Sequence, residues 1–185
     1  LSNFDSSSVM TLENMFYNCT KLESIDLSNF DSSSVTSMES MFKGCILLKD
    51  LKLYNLDTSA VYYMDNIFSG CNSLKSIDLS NFNIPNVYSM SYMFYNCSSL
   101  TSINLSNLIA YNLDSMKNMF DGCKSLKSVN LSNIKASSLD TMESMFSNCI
   151  SLESIDLSDF DGTSVTTLSH MFYGCSALKS INLLN

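Results

Sequence analysis

The sequence predicts a repeat solenoid of the α/β class, with a parallel β-sheet on one face and short helices on the other. Three observations predict it: an unbroken period of 26 residues, a strand-like alternation of apolar and polar residues in each period, and a helix-like spacing of apolar residues further on. A single period is too short to bury its apolar side alone. Neighbouring periods must therefore stack around a shared core.

Two recurring motifs define the period. The motif Leu-Ser-Asn-Phe or a close variant begins every copy, and Phe-x-x-Cys recurs at the same spacing. We therefore divide residues 1–185 into one solenoid of seven repeats. The repeats are 1–26, 27–52, 53–78, 79–104, 105–130, 131–156 and 157–182. Because polar capping repeats are missing from both ends, we expect the chain to be a slice of a longer protein.

Each repeat contains a short strand, as the second copy illustrates. Ile25 and Leu27 alternate with Ser24 and Asp26, the period of two that gives a strand one buried face. Together with Leu22, these residues match the L-x-x-L-x-L pattern of a leucine-rich repeat. Strands of successive coils should pair in parallel at ~4.8 Å, which gives a sheet of roughly 35 Å.

A short helix is predicted after the strand. Val35, Met38, Met41 and Phe42 recur at spacings of three and four, the apolar stripe of a helix. Two residues after the Phe, every copy has Gly or Asn, the residues that favour a left-handed helix C-cap. These are Asn18, Gly44, Gly70, Asn96, Gly122, Asn148 and Gly174. A parallel β-helix is the alternative fold, and the helical stripe with its Gly/Asn stop argues against it.

Composition excludes several classes of partner. The net charge is −8, with ten Lys and no Arg, so the chain has no basic face for nucleic acid or an anionic membrane. No apolar run approaches the ~18 residues of a membrane span, so we expect no insertion of this segment into a membrane.

Nothing in the sequence points to catalysis. The one histidine, His170, lies at a variable position and cannot form a Ser/His/Asp or Cys/His arrangement with the scattered carboxylates. Gly-rich phosphate loops and the Cys and His spacings of zinc sites are absent. We predict a protein that is not an enzyme and that binds no cofactor or metal.

Two polar ladders follow from the period. Each repeat has one Cys, and stacked thiols point the same way, so a column of buried free thiols is favoured over disulfides or a metal site. The Asn column is expected to hydrogen-bond loop backbone between coils, with ligand binding as the alternative. The two ladders are Cys19, Cys45, Cys71, Cys97, Cys123, Cys149 and Cys175, and Asn29, Asn55, Asn81, Asn107 and Asn133.

One strand departs from the small polar pattern of the solvent face. Lys52 and Tyr54 stand where other copies have Asp or Asn and Ser, and Lys49 lies on the same predicted strand. Aromatic and basic residues on a bland face are typical of an interface anchor, so we predict a partner contact here, flanked by Asp26 and Asp78. Random drift of exposed positions is the alternative, as is simple charge pairing across strands.

Tyrosines form a second departure, near the predicted helices. Tyr62 and Tyr88 occupy the same repeat position and should stack, with further tyrosines nearby. An exposed aromatic patch would indicate a partner site. The alternative is local packing around an irregular loop that contains Pro85.

The consensus from Cys19 to Phe42 carries a family resemblance. Its pattern Cys-x-x-Leu-x-x-Ile-Asp-Leu-Ser-Asn-Phe-Asp-x-Ser-x-Val-Thr-x-Met-x-x-Met-Phe resembles the 26-residue repeat of bacterial surface proteins, a mycoplasma-lipoprotein-type branch of the BspA-like leucine-rich repeats. The resemblance covers the whole chain. It implies an extracellular, cell-surface-attached protein in adhesion or host interaction, monomeric within its parent, with a protein or glycan ligand and no catalytic residues. A structural stalk is the alternative function.

Overall fold

The computed structural model, which describes residues 5–106, 108–158 and 160–182, is a stack of coils with parallel strands. Every paired residue lies opposite the residue 26 positions later, as Ser24 lies opposite Asp50. The strands are β1 (Ser24–Asp26), β2 (Asp50–Lys52), β3 (Ser102–Asn104), β4 (Ser128–Asn130), β5 (Ser154–Asp156) and β6 (Ser180–Asn182). Their middle residue points inward and its neighbours are exposed in β1 to β5, as the alternation predicts.

The strands do not form the continuous sheet that the repeat predicts. They pair as β1–β2, β3–β4 and β5–β6, and residues 76–78 are not a strand. A longer parallel ladder of single bridges runs along another segment of the coils. It links Thr11, Ser37, Tyr63, Ser89, Ser115, Thr141 and Thr167 in succession.

The predicted helices are wrong, because no residue of the described ranges is helical. Where the second copy should be helical, the N–H groups of Met38 and Phe42 donate to carbonyls of the next coil at 2.9 and 2.8 Å. Successive tight turns join these contacts, and Ser40 and Gly44 have φ of 55° and 77°. A left-handed residue every fourth position interrupts a right-handed helix. The apolar spacing therefore comes from turns that return buried side chains to the core.

The Gly/Asn column is left-handed as predicted, although it closes turns rather than helices. All seven members have φ between 55° and 77°. The Asn amide of one coil covers the Gly of the next: a Cβ added to Gly44 would lie 2.1 Å from Asn18 Oδ1. Gly122 and Gly174 have the same relation to Asn96 and Asn148. No Asn in this column is followed by Asn in the next coil.

This contact predicts an order-dependent effect of moving the Asn. Gly44→Asn should lower the free energy of unfolding by about 1 kcal/mol, because Asn18 must leave its preferred rotamer. The double variant Asn18→Gly/Gly44→Asn should regain most of that loss, since its Asn again precedes a Gly, Gly70. Urea unfolding of both variants measures the coupling, and additive losses would contradict the packing rule.

The core consists of columns of identical side chains. Phe16 to Phe172 form one stack of seven rings, with centroids 5.2–5.8 Å apart and planes within 17° of parallel. Of the core residues predicted in the second copy, Leu22 and Ile25 are half-buried and the rest are buried. The buried ones are Leu27, Phe30, Val35, Met38, Met41, Phe42 and Cys45. Such offset stacking adds to the apolar area that each ring removes from water.

Candidate partner-binding surface

The strand-face group of Lys49, Lys52 and Tyr54 is exposed in the structure. Lys52 Nζ lies 3.0 Å from Asp26 Oδ2, and Lys49 Nζ lies 3.4 Å from Glu23 Oε2. Both lysines therefore pair with the preceding coil. Such exposed ion pairs are weak, so this pairing leaves the side chains available to a partner.

The Asp residues of the strand face also have a local task. Asp26 accepts hydrogen bonds from the Ser28 N–H at 3.0 Å and from the Ser28 hydroxyl at 2.6 Å. Asp78 accepts from the Ser80 N–H at 2.9 Å in the same way. These turns end the strand segments, which explains the Asp-x-Ser pattern. Lys52 stands where other coils have the Asp or Asn that accepts these hydrogen bonds. A lysine ammonium cannot accept them, so this coil differs in its turn hydrogen bonds as well as in its charge.

These turns predict acid sensitivity. The Ser80 N–H and hydroxyl lower the pKa of Asp78, and the Ser158 hydroxyl and N–H lower that of Asp156. Because the folded pKa lies below the unfolded value of about 3.9, this stability is present above that pH and is lost as pH falls towards the folded pKa. The double variant Asp78→Asn/Asp156→Asn copies Asn104 and Asn130. Between pH 6 and pH 3, its free energy of unfolding should decrease less than that of the wild type. Urea unfolding at several pH values measures it, and an unchanged pH dependence would contradict the assignment.

A shallow groove adjoins the strand-face group. It has a volume of about 450 Å³ and is lined by Lys49, Asp50, Ser73, Lys75, Ser76 and Ser99. It lies where β2 is followed by the unpaired residues 76–78. The interruption of the sheet thus leaves a polar recess beside Lys49.

The tyrosine patch, formed by Tyr62, Tyr63 and Tyr88, is a separate exposed surface. The rings of Tyr62 and Tyr88 stack with centroids 5.9 Å apart, and Tyr63 tilts against Tyr88 at 6.5 Å. The three side chains are 37%, 50% and 47% exposed. The stacking expected of Tyr62 and Tyr88 is therefore present, and the rings remain open to solvent rather than packing inside a loop.

Polar groups surround the tyrosine patch. The Ser89 hydroxyl donates to Asp65 Oδ1 at 2.5 Å and shares a further hydrogen bond of 2.8 Å with Ser91. Burial and the neighbouring carboxylates of Asp65 and Glu13 raise the pKa of Glu39 above its ordinary value. Like charges in successive coils cause part of this shift. The surface beside the tyrosine patch therefore carries several carboxylates.

The cysteine column holds free thiols that are buried in the middle of the array. Each Sγ from Cys45 onward donates to the carbonyl of the Phe 29 residues earlier, at 2.9–3.2 Å. Burial raises the pKa of Cys45 to about 11 and that of Cys97 well above its ordinary value. Cys19, in contrast, is exposed. The thiols thus act as hydrogen-bonded core residues.

The asparagine column lies at the surface. The Asn55 amide donates to the Ser28 carbonyl at 2.9 Å, and the Asn81 amide donates to the Tyr54 carbonyl. Asn29 and Asn133 are exposed, and Asn133 has a left-handed backbone with φ of 56°. Asn107 lies outside the described residues. These two hydrogen bonds from side-chain amides connect a loop to the coil before it.

Sequence analysis missed a column of buried hydroxyls. Ser6, Ser32 and Thr58 are each at most 3% exposed. The Thr58 hydroxyl donates to the Asn83 carbonyl at 2.8 Å and accepts from the Asn83 N–H at 2.9 Å. The recurrence of Ser or Thr at this repeat position was the available signal. From Ile84 onward the column is apolar or Gly.

Within the described part of the chain, no helix reaches the length and hydrophobicity that crossing a bilayer requires. Those same residues contain no group of three or more His, Cys, Asp or Glu placed to hold a metal ion.

Stacked coils with paired parallel strands at a 26-residue offset define a leucine-rich-repeat solenoid. The structure is similar to the crystal structure of the T. pallidum leucine-rich repeat protein TpLRR, at 23% identity and a TM-score of 0.50, covering 100% of this chain and 67% of that one. The chain belongs to the family described as "Mycoplasma protein of unknown function, DUF285", whose model matches residues 10–128 and 101–185. The resemblance to a mycoplasma-type repeat family is thereby confirmed.

Two other solved structures match with lower TM-scores. A leucine rich cell surface protein from Faecalibacterium prausnitzii is 21% identical, with a TM-score of 0.31, and the match covers 92% of this chain and 75% of that one. A leucine-rich repeat protein from Bacteroides ovatus is also 21% identical, with a TM-score of 0.29, covering 96% and 78%. No curated protein is similar enough in sequence to count as a match.

Proposed function

We propose that the chain is a binding module of a bacterial surface protein, a continuous array of seven 26-residue coils that presents exposed faces to a protein or glycan. Adhesion to a host or to a neighbouring cell is the proposed role. The resemblance of the repeat to those of bacterial surface proteins supports an extracellular, surface-attached location. We further propose that the module is monomeric within its parent and has no catalytic activity.

One observation carries this proposal: a group of exposed departures from the repeat lies close together in sequence. Lys52, Tyr54, Tyr62 and Tyr88 all fall within residues 52–88 and are exposed, and the exposed Lys49 immediately precedes the strand that contains Lys52. The Phe and Cys columns of the core, in contrast, do not vary. Variation at exposed positions over a fixed core is typical of a recognition surface.

Binding to purified matrix proteins and glycans tests the proposal. The fragment should bind at least one immobilised ligand saturably, and Lys52→Ala/Tyr54→Ala should weaken that binding if the strand face is the contact. The melting temperature of the variant should stay unchanged, because the exposed pair between Lys52 and Asp26 contributes little to stability. Absence of binding to every ligand would contradict a binding module.

A stalk that holds another domain away from the surface is the second candidate. The strand faces of β3 and β4 are nearly identical, Ser-Ile-Asn and Ser-Val-Asn, and are followed by Leu-Ser in both coils. Such uniform faces favour a spacer, because a spacer needs no unique surface.

Deleting one repeat separates the two candidates. Removal of 131–156 places Gly122 before Gly174, and removal of 53–78 places Gly44 before Asn96. Neither deletion places one Asn of the Gly/Asn column before another. A binding module loses its ligand only when 53–78 is removed. A stalk supports display of its passenger domain equally well after either deletion.

A further inference from the structure

We propose that the tyrosine patch, together with its flanking carboxylates, is a docking surface for a lysine- and arginine-rich segment of a partner protein. This inference rests on the proposed binding function and names the chemistry of the partner. It also moves the principal contact from the strand face to the ladder segment of the coils.

The rings are placed where cations can reach them. Tyr62 and Tyr88 stack on each other, and the same position in the adjoining coils holds the small polar residues Thr36 and Asp114. The outer face of each ring is therefore not covered by another aromatic side chain of this column. Lysine and arginine bind such faces through cation–π contact, and arginine also stacks on them.

Carboxylates stand on both sides of the rings. The Asp114 N–H donates to the Tyr88 carbonyl at 2.8 Å, which places Asp114 directly beside Tyr88 in the next coil. Asp65 follows Tyr63 by two residues and holds the Ser89 hydroxyl. Within the described ranges, neither carboxylate forms a salt bridge.

The charge at this surface favours one kind of partner. Burial above all, and then the carboxylates of Asp65 and Glu13, raise the pKa of Glu39, while Lys43 lowers it. A cationic side chain would pair with Asp65 and Asp114, whereas an acidic partner would meet a chain of net charge −8. Aromatic faces beside unneutralised carboxylates thus complement a basic segment.

Fluorescence anisotropy with a labelled (Arg-Gly)5 peptide tests the inference directly, with (Ser-Gly)5 as the neutral probe. The wild-type chain should bind the basic peptide and not the neutral one, and rising salt should weaken binding. Tyr62→Thr/Tyr88→Thr should weaken it about tenfold, the size expected for losing anchor residues. Thr occupies this position at Thr36 and Thr166, so the variant should keep its melting temperature.

Matched controls separate this site from general charge attraction. Tyr54→Ser removes an exposed tyrosine of the strand face and should leave the affinity within about twofold. Glu39→Gln/Asp114→Asn should weaken binding more than Asp50→Asn/Asp161→Asn, which removes the same net charge elsewhere. Equal losses in the two charge variants, or indifference to the tyrosine substitutions, would overturn the inference.

The same variants distinguish this inference from the function on which it rests. A wild-type chain that binds a matrix protein or glycan regardless of Tyr62 and Tyr88 keeps its proposed function and loses the inference. Capture of a neutral glycan through these tyrosines also overturns the inference. A tyrosine- and salt-dependent complex with a basic protein supports both.

Discussion

Replacing Phe94 by alanine should lower the free energy of unfolding by about 3–5 kcal/mol. The ring is fully buried and stacks between Phe68 and Phe120, with centroid distances of 5.4 and 5.5 Å. Its removal leaves a cavity bounded by neighbours that are themselves held by the stack, so the site cannot collapse. Urea unfolding monitored by circular dichroism measures the loss.

The position of the ring in the stack provides the control. Phe172 is half-buried and has one ring neighbour in the described part of the chain, Phe146 at 5.7 Å. Phe172→Ala should therefore cost clearly less than Phe94→Ala. Equal losses at the two positions would show that stacking between neighbouring coils does not set the stability.

The thiols of the native chain should differ in reactivity by orders of magnitude. Cys19 is exposed and should react with iodoacetamide readily, while the buried thiols should be protected. For Cys45, raising the pKa from 9.0 to about 11 alone lowers the thiolate fraction about a hundredfold at neutral pH. Cys97 is fully buried and donates to the Phe68 carbonyl at 3.0 Å, so its labelling should require unfolding.

Mass spectrometry of the labelled chain counts the modified cysteines. One fast site in the native state and seven sites in guanidinium chloride is the expected result. Fast labelling of Cys97 in the native state would contradict a closed core. Fewer than seven sites after denaturation without a reductant would show disulfides instead of free thiols.

The strands and the core columns could be predicted from the sequence because each depends on a short, regular pattern. Ile25 and Leu27 alternate with polar residues, and the structure places β1 there with its middle residue inward. The recurring Phe predicts a shared core, and the stacked rings follow from identical side chains placed at one coil spacing. These features are local or repeat without change, so no distant information is needed.

The helix could not be excluded by the apolar spacing, because tight turns return side chains to the core at the same intervals. The informative signal lay four residues before the Gly/Asn column. Asn14, Asn66 and Asn118 share a repeat position with Ser40, and all four have φ between 52° and 59°. Asn enriched at two positions four residues apart indicates two left-handed turns rather than one helix with a cap.

The candidate surface was predictable in its residues and not in its contacts. Lys52 and Tyr54 stand out in the sequence, yet the pairing of Lys52 with Asp26 depends on the register of neighbouring coils. The exposure of Tyr62 and Tyr88 depends on the small residues around them, which a column-by-column comparison does not weigh. Such contacts form between neighbouring coils, and the repeat period alone does not predict which side chains meet there.

The Asn-over-Gly contact limits which coils can be duplicated in tandem. Copying the coil that contains Gly70 in tandem sets one Gly beside another, an arrangement already present where Gly70 follows Gly44. Copying the coil that contains Asn96 would instead set one amide against the Cβ of the next. Lengthening by unequal recombination is therefore expected to retain some coils as duplicates and to reject others, although every coil has the same length and the same Phe and Cys columns.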